Sequence, residues 1–132
     1  MDRKQFFTVV MSRDEGRCVL CGEPAVDAHH ILDRKLFSDG GYHINNGASV
    51  CSPCHMLVEQ TVISVEEVRA GAGIVNPHLP SGFSAELIYD KWGNELLEGG
   101  QRSRGPLFRD DGARKALAHG GVLYDGTFGF DS

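Results

Sequence analysis

Cys18-Val-Leu-Cys21 and Cys51-Ser-Pro-Cys54 are two Cys-x-x-Cys turns with 29 residues between them, and His29, His30 and His55 lie within or beside that interval. Each such turn brings two thiolates close enough to grip one ion, and a pair of them supplies a closed tetrahedral four-cysteine zinc set. Cys18, Cys21, Cys51 and Cys54 are therefore read as ligands of a structural Zn2+. In finger-sized domains such an ion contributes roughly 10 to 16 kcal/mol of apparent binding energy, enough to determine whether a small core folds. A redox role for the same motifs would need a thioredoxin-like βαβ context, which the flanks do not offer. The three histidines are surplus to the zinc, and that surplus is the functional signal.

His29 and His30 are adjacent in a stretch that reads as a strand, so their side chains diverge and are free to take different roles. His55 and Glu59 stand four residues apart in a stretch that reads as a helix, a spacing that places both on one face. The economical assignment puts His29, His55 and Glu59 on a catalytic divalent cation and leaves His30 as a general base, since a neutral imidazole can take a proton from water. Imidazole ligands suit Zn2+, Ni2+ or Mn2+, whereas a Glu59 ligand favours Mg2+ or Mn2+. Each residue also has a plainer role: His30 as an ordinary half-buried histidine, His55 as a replacement zinc ligand, Glu59 as a solvated helix residue.

These side chains must be positioned by a chain of 132 residues, a length that suits one domain or a small core with an appendage. With 13 basic against 18 acidic side chains there is no general basic field. Nucleic-acid contact would have to come from a local patch. The clearly basic stretch runs from Gln101 to Lys115, where Arg102, Arg104, Arg109, Arg114 and Lys115 face only Asp110 and Asp111. It serves either as a solvated face or as a phosphate contact. The apolar run near the start is broken by Thr8 and leads into Ser12-Arg-Asp-Glu15 without a cleavage-site pattern, so a secretory leader is not expected and the thiols should stay reduced. No apolar run approaches 18 residues, and no membrane partner is expected.

Phe6, Phe7, Val10 and Met11 form a helical stripe from Asp2 to about Glu15, stopped at Gly16. Pro24 to Leu32 reads as a strand, residues 33 to 47 as a surface loop, and Ala48-Ser-Val50 as the feed into the second knuckle. A helix should run to about Gln60 with Ser52 as its cap and Pro53 in its first turn. Ser64 and Glu67 form a capping box for a helix from Val65 to Ala70, ended by Gly71 and Gly73. Leu87-Ile-Tyr89 and Glu95-Leu-Leu97 flank a turn as a hairpin, with Tyr89 and Trp92 packing it. A final helix capped by Asp110 or Asp111 should reach His119, stop at Gly120 and Gly121, and give way to an irregular glycine-rich tail from Tyr124. His43, His78 and His119 have no evident partners and default to the surface.

Asp27-Ala-His29-His30-Ile31, Asn46-Gly-Ala-Ser-Val-Cys51 and Cys54-His55-Met-Leu-Val-Glu59 together resemble the HNH endonucleases of the ββα-metal class in their zinc-knuckle form, across roughly residues 14 to 62. The resemblance implies an α+β fold: a small ββα-metal core stapled by a four-cysteine zinc site, with an N-terminal helix and a mixed C-terminal extension. It implies His30 as general base, Asn46 as the residue holding loop and base in place, and His29 and His55 as metal ligands. Glu59 stands where the family often has a further histidine. The expected domains are a nuclease core over 1–62 and an extension of unassigned role over 63–132. The implied function is hydrolysis of phosphodiester bonds, with DNA as the family's default substrate, in the reducing cytoplasm of a bacterial or phage-infected cell. A single-metal site nicks one strand per visit, so cutting a duplex would call for a homodimer, a second visit or a partner enzyme. The competing reading from another class is a non-catalytic zinc-knuckle module that binds nucleic acid or protein.

Overall fold

The computed structural model describes residues 1–123 and 126–129, and within them the fold is a small α+β arrangement of four helices and two short antiparallel sheets. Much of the expected irregular tail lies outside the described residues. Helix α1 (Arg3–Arg13) starts at Asp2, whose carboxylate accepts from the Gln5 amide while the Gln5 side chain accepts from the Asp2 amide. Such reciprocal capping satisfies two N–H groups that helix geometry leaves without partners. Of the expected stripe, Phe6 and Val10 are buried, whereas Phe7 is 44% exposed. At the other end Arg13 grips Asp14 and donates to the carbonyls of Ile44 and Gly47 at 2.7 Å each, and Asp14 accepts from the Ser49 amide. These bonds fasten α1 to the first sheet.

That sheet pairs β1 (Asp27–His30) with β2 (Gly47–Val50), Asp27 opposite Val50 and His30 opposite Gly47. The strand is shorter than the Pro24–Leu32 expected from sequence, because Pro24 forms only an isolated bridge with Arg17. Two 3₁₀ turns, Arg34–Leu36 and Ile44–Asn46, give the intervening loop a shape of its own. Helix α2 (Ser52–Glu59) follows β2 directly. Here Cys51, not Ser52, occupies the cap position, and no side chain caps the helix, since the knuckle turn fixes the backbone one residue earlier than the serine rule anticipates. Helix α3 (Val65–Ala72) carries the expected Ser64 and Glu67 capping box. It runs through Gly71 and ends at Gly73, whose φ of 71° is the left-handed closure that glycine adopts without strain. Gly71 has a packing reason instead: a Cβ there would strike the backbone carbonyl of Val19 in the first knuckle.

The central apolar cluster draws Ile31, Leu32, Ala48 and Val58 together with Val65 and Val68 of α3, so one core joins residues on both sides of position 62. Farther along, β3 (Glu95–Leu96) pairs with β4 (Arg102–Ser103), while Tyr89 bridges to Glu95 on the other edge. The expected hairpin is present, with the Leu96 amide donating to the Ile88 carbonyl and the Asp90 amide to the Asn94 carbonyl at 2.8 Å each, and β4 is a further strand the sequence reading missed. Helix α4 (Asp111–His119) is capped by Asp110 as anticipated and packs Ala113 and Leu117 around Trp92. His43 and His78, expected without partners, stack on each other with ring centres 4.3 Å apart, and His78 stacks in turn on Phe37.

Two measurements follow from this packing. Gly71→Ala should destabilise the fold by about 1 to 3 kcal/mol in denaturant titration, because the colliding atom is backbone and cannot swing away. His43 Nδ1 accepts from the Asn45 amide at 3.1 Å, and partial burial together with the neighbouring His78 pushes its pKa down. Its contribution is therefore fully present above the unfolded value of about 6.5 and is lost as pH falls from there through the lower folded-state value. His43→Asn, which keeps the acceptor and removes the titration, should make the thermal midpoint less sensitive to acidification from pH 7 to 5.5 than in wild type.

Candidate metal centres and adjoining cleft

The two knuckles converge because the first lies alongside β2, where the Val19 amide donates to the Ser49 carbonyl at 3.0 Å, and the second opens α2. Their four sulfur atoms all lie within 4.8 Å of one another, and Cys21 Sγ stands 3.6 Å from Cys51 Sγ. Ligands at the usual Zn–S length of about 2.3 Å on a tetrahedron are about 3.8 Å apart, so the cluster is compatible with structural zinc. Burial works against the Cys18 thiolate, but backbone N–H groups of Cys51, Cys21 and Leu20 donate to its sulfur and hold its pKa at about 6. His55 belongs to a separate group and does not complete the sulfur cluster.

That second group comprises His29, His55 and Glu59, again with ligand atoms within 4.8 Å of one another. Strand β1 delivers His29 and helix α2 delivers the other two on successive turns of one face. Glu59 Oε1 lies 3.1 Å from His55 Nε2 and 3.6 Å from His29 Nδ1. Donor atoms about 2.1 Å from one ion would be about 3.0 to 3.4 Å apart in octahedral or tetrahedral geometry. His29 is 2% exposed, and its Nδ1 is buried without a hydrogen-bond partner. On the far side of His55, Nδ1 faces Asp27 Oδ2 at 3.1 Å, a carboxylate partner of the kind that fixes the tautomer of a ligating imidazole. Burial and the Lys91 charge push His29 down to about 3. Glu59 is held well below the usual carboxylate range by its histidine neighbours and Lys91, against its burial. His55 is raised, chiefly by its hydrogen bond to Glu59.

His30 points away from this trio. Its ring stacks on Phe6 at 4.6 Å and meets Tyr42 edge-on at 5.1 Å, and it shares with His29, His55 and Glu59 the lining of a cleft of about 330 Å3. Burial and Lys91 hold it down at about 4, leaving it neutral at pH 7. Its Nε2 is also buried without a partner. Asn46, 1% exposed, accepts from the Leu32 amide through Oδ1 and donates through Nδ2 to the carbonyls of Leu32 and Gly41. Its own carbonyl accepts from the Ile31 amide at 2.9 Å, so one residue pins the two positions that follow His30.

The basic segment is dispersed. Arg102 is taken up in the framework, bonding Asp90 at 2.8 Å and the Thr61 hydroxyl at 3.0 Å. Arg104, Arg109 and Arg114 line a separate depression around Phe108, with the guanidinium carbons of Arg104 and Arg114 at 4.8 and 5.4 Å from the ring centre. Lys115 alone borders a groove that also includes His55 and Glu59.

Arg3, Asp33, Arg34 and Lys91 are charged residues of the cleft that sequence reasoning missed, and of the three cations Lys91 is the buried one. It is 4% exposed, and its Nζ lies 3.0 Å from the His30 carbonyl, 3.4 Å from Asp33 and 3.7 Å from Glu59. The only signal available was a lysine and a tryptophan set among turn-forming residues at Asp90-Lys-Trp-Gly-Asn94. Trp92, read as hairpin packing, donates its indole N–H to the Glu59 carbonyl at 2.9 Å. Among the described residues no helix is long and apolar enough to cross a membrane. No family model, curated protein or solved structure matches the chain.

Protein purified under reducing conditions should contain one tightly held zinc by elemental analysis. Cys51→Ser should lose that zinc together with the cooperative thermal transition, whereas His55→Ala should keep both.

Proposed function

We propose that the protein is a metal-dependent endonuclease of the HNH type, built on a zinc-stapled ββα-metal core, that hydrolyses phosphodiester bonds in DNA. The observation that carries the reading is the pair of partnerless imidazole nitrogens, His29 Nδ1 and His30 Nε2, on consecutive residues of β1 that line one cleft. Buried polar atoms are nearly always hydrogen-bonded, and an exception calls for an explanation such as a bound ion, a water or a catalytic role; Arg69 Nε is a third such atom but lies outside the cleft, whereas these two share it. In support, β2 leads straight into α2, His29, His55 and Glu59 cluster, His30 lines the same cleft, and Asn46 bonds the two residues that follow His30.

In this reading His29, His55 and Glu59 hold one divalent cation, which when bound supplies positive charge opposite the pentacoordinate phosphorus and the departing 3′ oxygen. His30 takes the proton of the attacking water at Nε2 as the water oxygen bonds to phosphorus and the P–O3′ bond breaks. A 5′ phosphate and a 3′ hydroxyl result, the latter taking its proton from solvent. Stacking on Phe6 keeps the imidazole plane fixed, and Asn46 holds the backbone just beyond it. Asp27 keeps His55 in the tautomer whose Nε2 lone pair faces the site.

Supercoiled plasmid incubated with Mg2+, Mn2+, Ni2+ or Zn2+ should be nicked, and His30→Ala should slow nicking about 10²- to 10⁴-fold, the usual contribution of a general base. Zinc content and melting temperature should stay within error of wild type. Retained nicking in His30→Ala would remove His30 as the base. One zinc, no second divalent site and no nicking in any cation would instead favour a zinc-knuckle binding module.

A further inference from the structure

Lysine is among the residues least often fully buried, since its charge must be compensated when taken from water. Lys91 is buried beside the cleft that the three histidines line, although it belongs to a part of the chain more than 30 residues beyond Glu59. The turn that carries it is fixed from several directions. Asp90 accepts from the amides of Trp92 and Asn94, from the Asn94 side chain and from Arg102. The Lys91 carbonyl accepts from the Asp33 amide at 2.9 Å, and the Trp92 indole holds the last turn of α2 through Glu59. So the ammonium is placed by a framework that is itself anchored to the loop after β1 and to α2.

An ammonium has three donors. One is well used on the His30 carbonyl at 3.0 Å; Asp33 at 3.4 Å is at the edge of hydrogen-bond range, and Glu59 at 3.7 Å is beyond it. The Trp92 ring centre lies 4.9 Å from Nζ on another side, so with Glu59 committed to a cation the donor nearest that carboxylate is left for the cleft Lys91 lines. We propose that Lys91 is a catalytic residue of this site that contacts a non-bridging oxygen of the scissile phosphodiester, making the 90–94 turn a working part of the active site. The inference rests on the nuclease reading above and adds to it a fixed cation beside the proposed metal ligands, 3.7 Å from Glu59, that receives the phosphate next to the metal. A charge whose position is fixed before the substrate arrives stabilises the additional negative charge of the transition state without reorganisation.

The test uses full-length protein, single-turnover cleavage of a DNA duplex at a mapped position, and Lys91→Gln and Lys91→Arg. Lys91→Gln should retain zinc and bind DNA within a few-fold of wild type, yet cleave about 10²- to 10³-fold more slowly, the range for removal of one transition-state donor. Lys91→Arg should recover most of that loss. A methylphosphonate at the cleaved position, which removes one non-bridging charge, should slow wild type far more than Lys91→Gln. Cleavage by Lys91→Gln within about threefold of wild type, or equal methylphosphonate penalties in both proteins, overturns the proposal while leaving the nuclease reading intact. Should Lys91→Gln lose zinc or melt early, Lys91→Arg decides the matter: the shifted cation must change the preference between the two methylphosphonate diastereomers, and an unchanged preference overturns the assignment. Absence of nicking by wild type in every cation would instead bring down the nuclease reading itself.

Discussion

Four sulfur atoms gather the turn before β1 and the first turn of α2 onto one point, and the geometry of the rest is set from there. With its cap residue Cys51 and its third residue Cys54 both in the cluster, α2 has little freedom to rotate about its axis. His55 and Glu59 consequently leave the helix toward β1, where His29 stands. Few other forces in so small a core could fix that rotation. The helix has no side-chain cap, and Val58 is its one buried apolar residue. A coordinated ion supplies directional bonds where the hydrophobic effect supplies only attraction.

Around this anchor the charges are arranged so that consecutive histidines experience different surroundings. His29 lies in the interior against Glu59, His30 against an aromatic wall formed by Phe6 and Tyr42, and both are kept neutral by burial and by the same lysine. Alternation along a strand makes this separation possible, since adjacent side chains cannot share one environment. Glu59 connects the two halves of the chain: its carboxylate faces the imidazoles and Lys91, while its backbone carbonyl receives the Trp92 indole.

The knuckles, the divergence of His29 and His30, and the common face of His55 and Glu59 were legible in the sequence because each depends on spacing over a few residues. Capping by Asp110 and the Ser64–Glu67 box were legible for the same reason. Ser52 misled because the Cys-x-x-Cys turn overrode the local capping preference, and Gly71 misled because its conformation is ordinary and its importance lies in the approach of Val19. Lys91 and Arg102 could not be assigned from composition. Whether a basic side chain meets solvent, a carboxylate or a cleft is decided by contacts spanning 12 to 61 positions, to which no local pattern refers. The stack of His43 on His78 is hidden from sequence in the same way.

The side chain of Asn46 meets Leu32 as one peptide unit meets another, N–H to oxygen in both directions, and so extends the β1–β2 ladder by one rung. Gly47 follows it, and an asparagine before glycine is the pairing most open to cyclisation and loss of ammonia, because nothing shields the attacking backbone nitrogen. In the folded chain that nitrogen donates to the Ile44 carbonyl and the amide is buried, so the reaction is held off. Unfolding lifts the restraint. A chain that ages while unfolded would come back with aspartate, its carboxylate facing two carbonyl oxygens, or more often with isoaspartate, its backbone rerouted through that side chain, so the chemical lifetime of the protein is tied to how seldom this one rung opens.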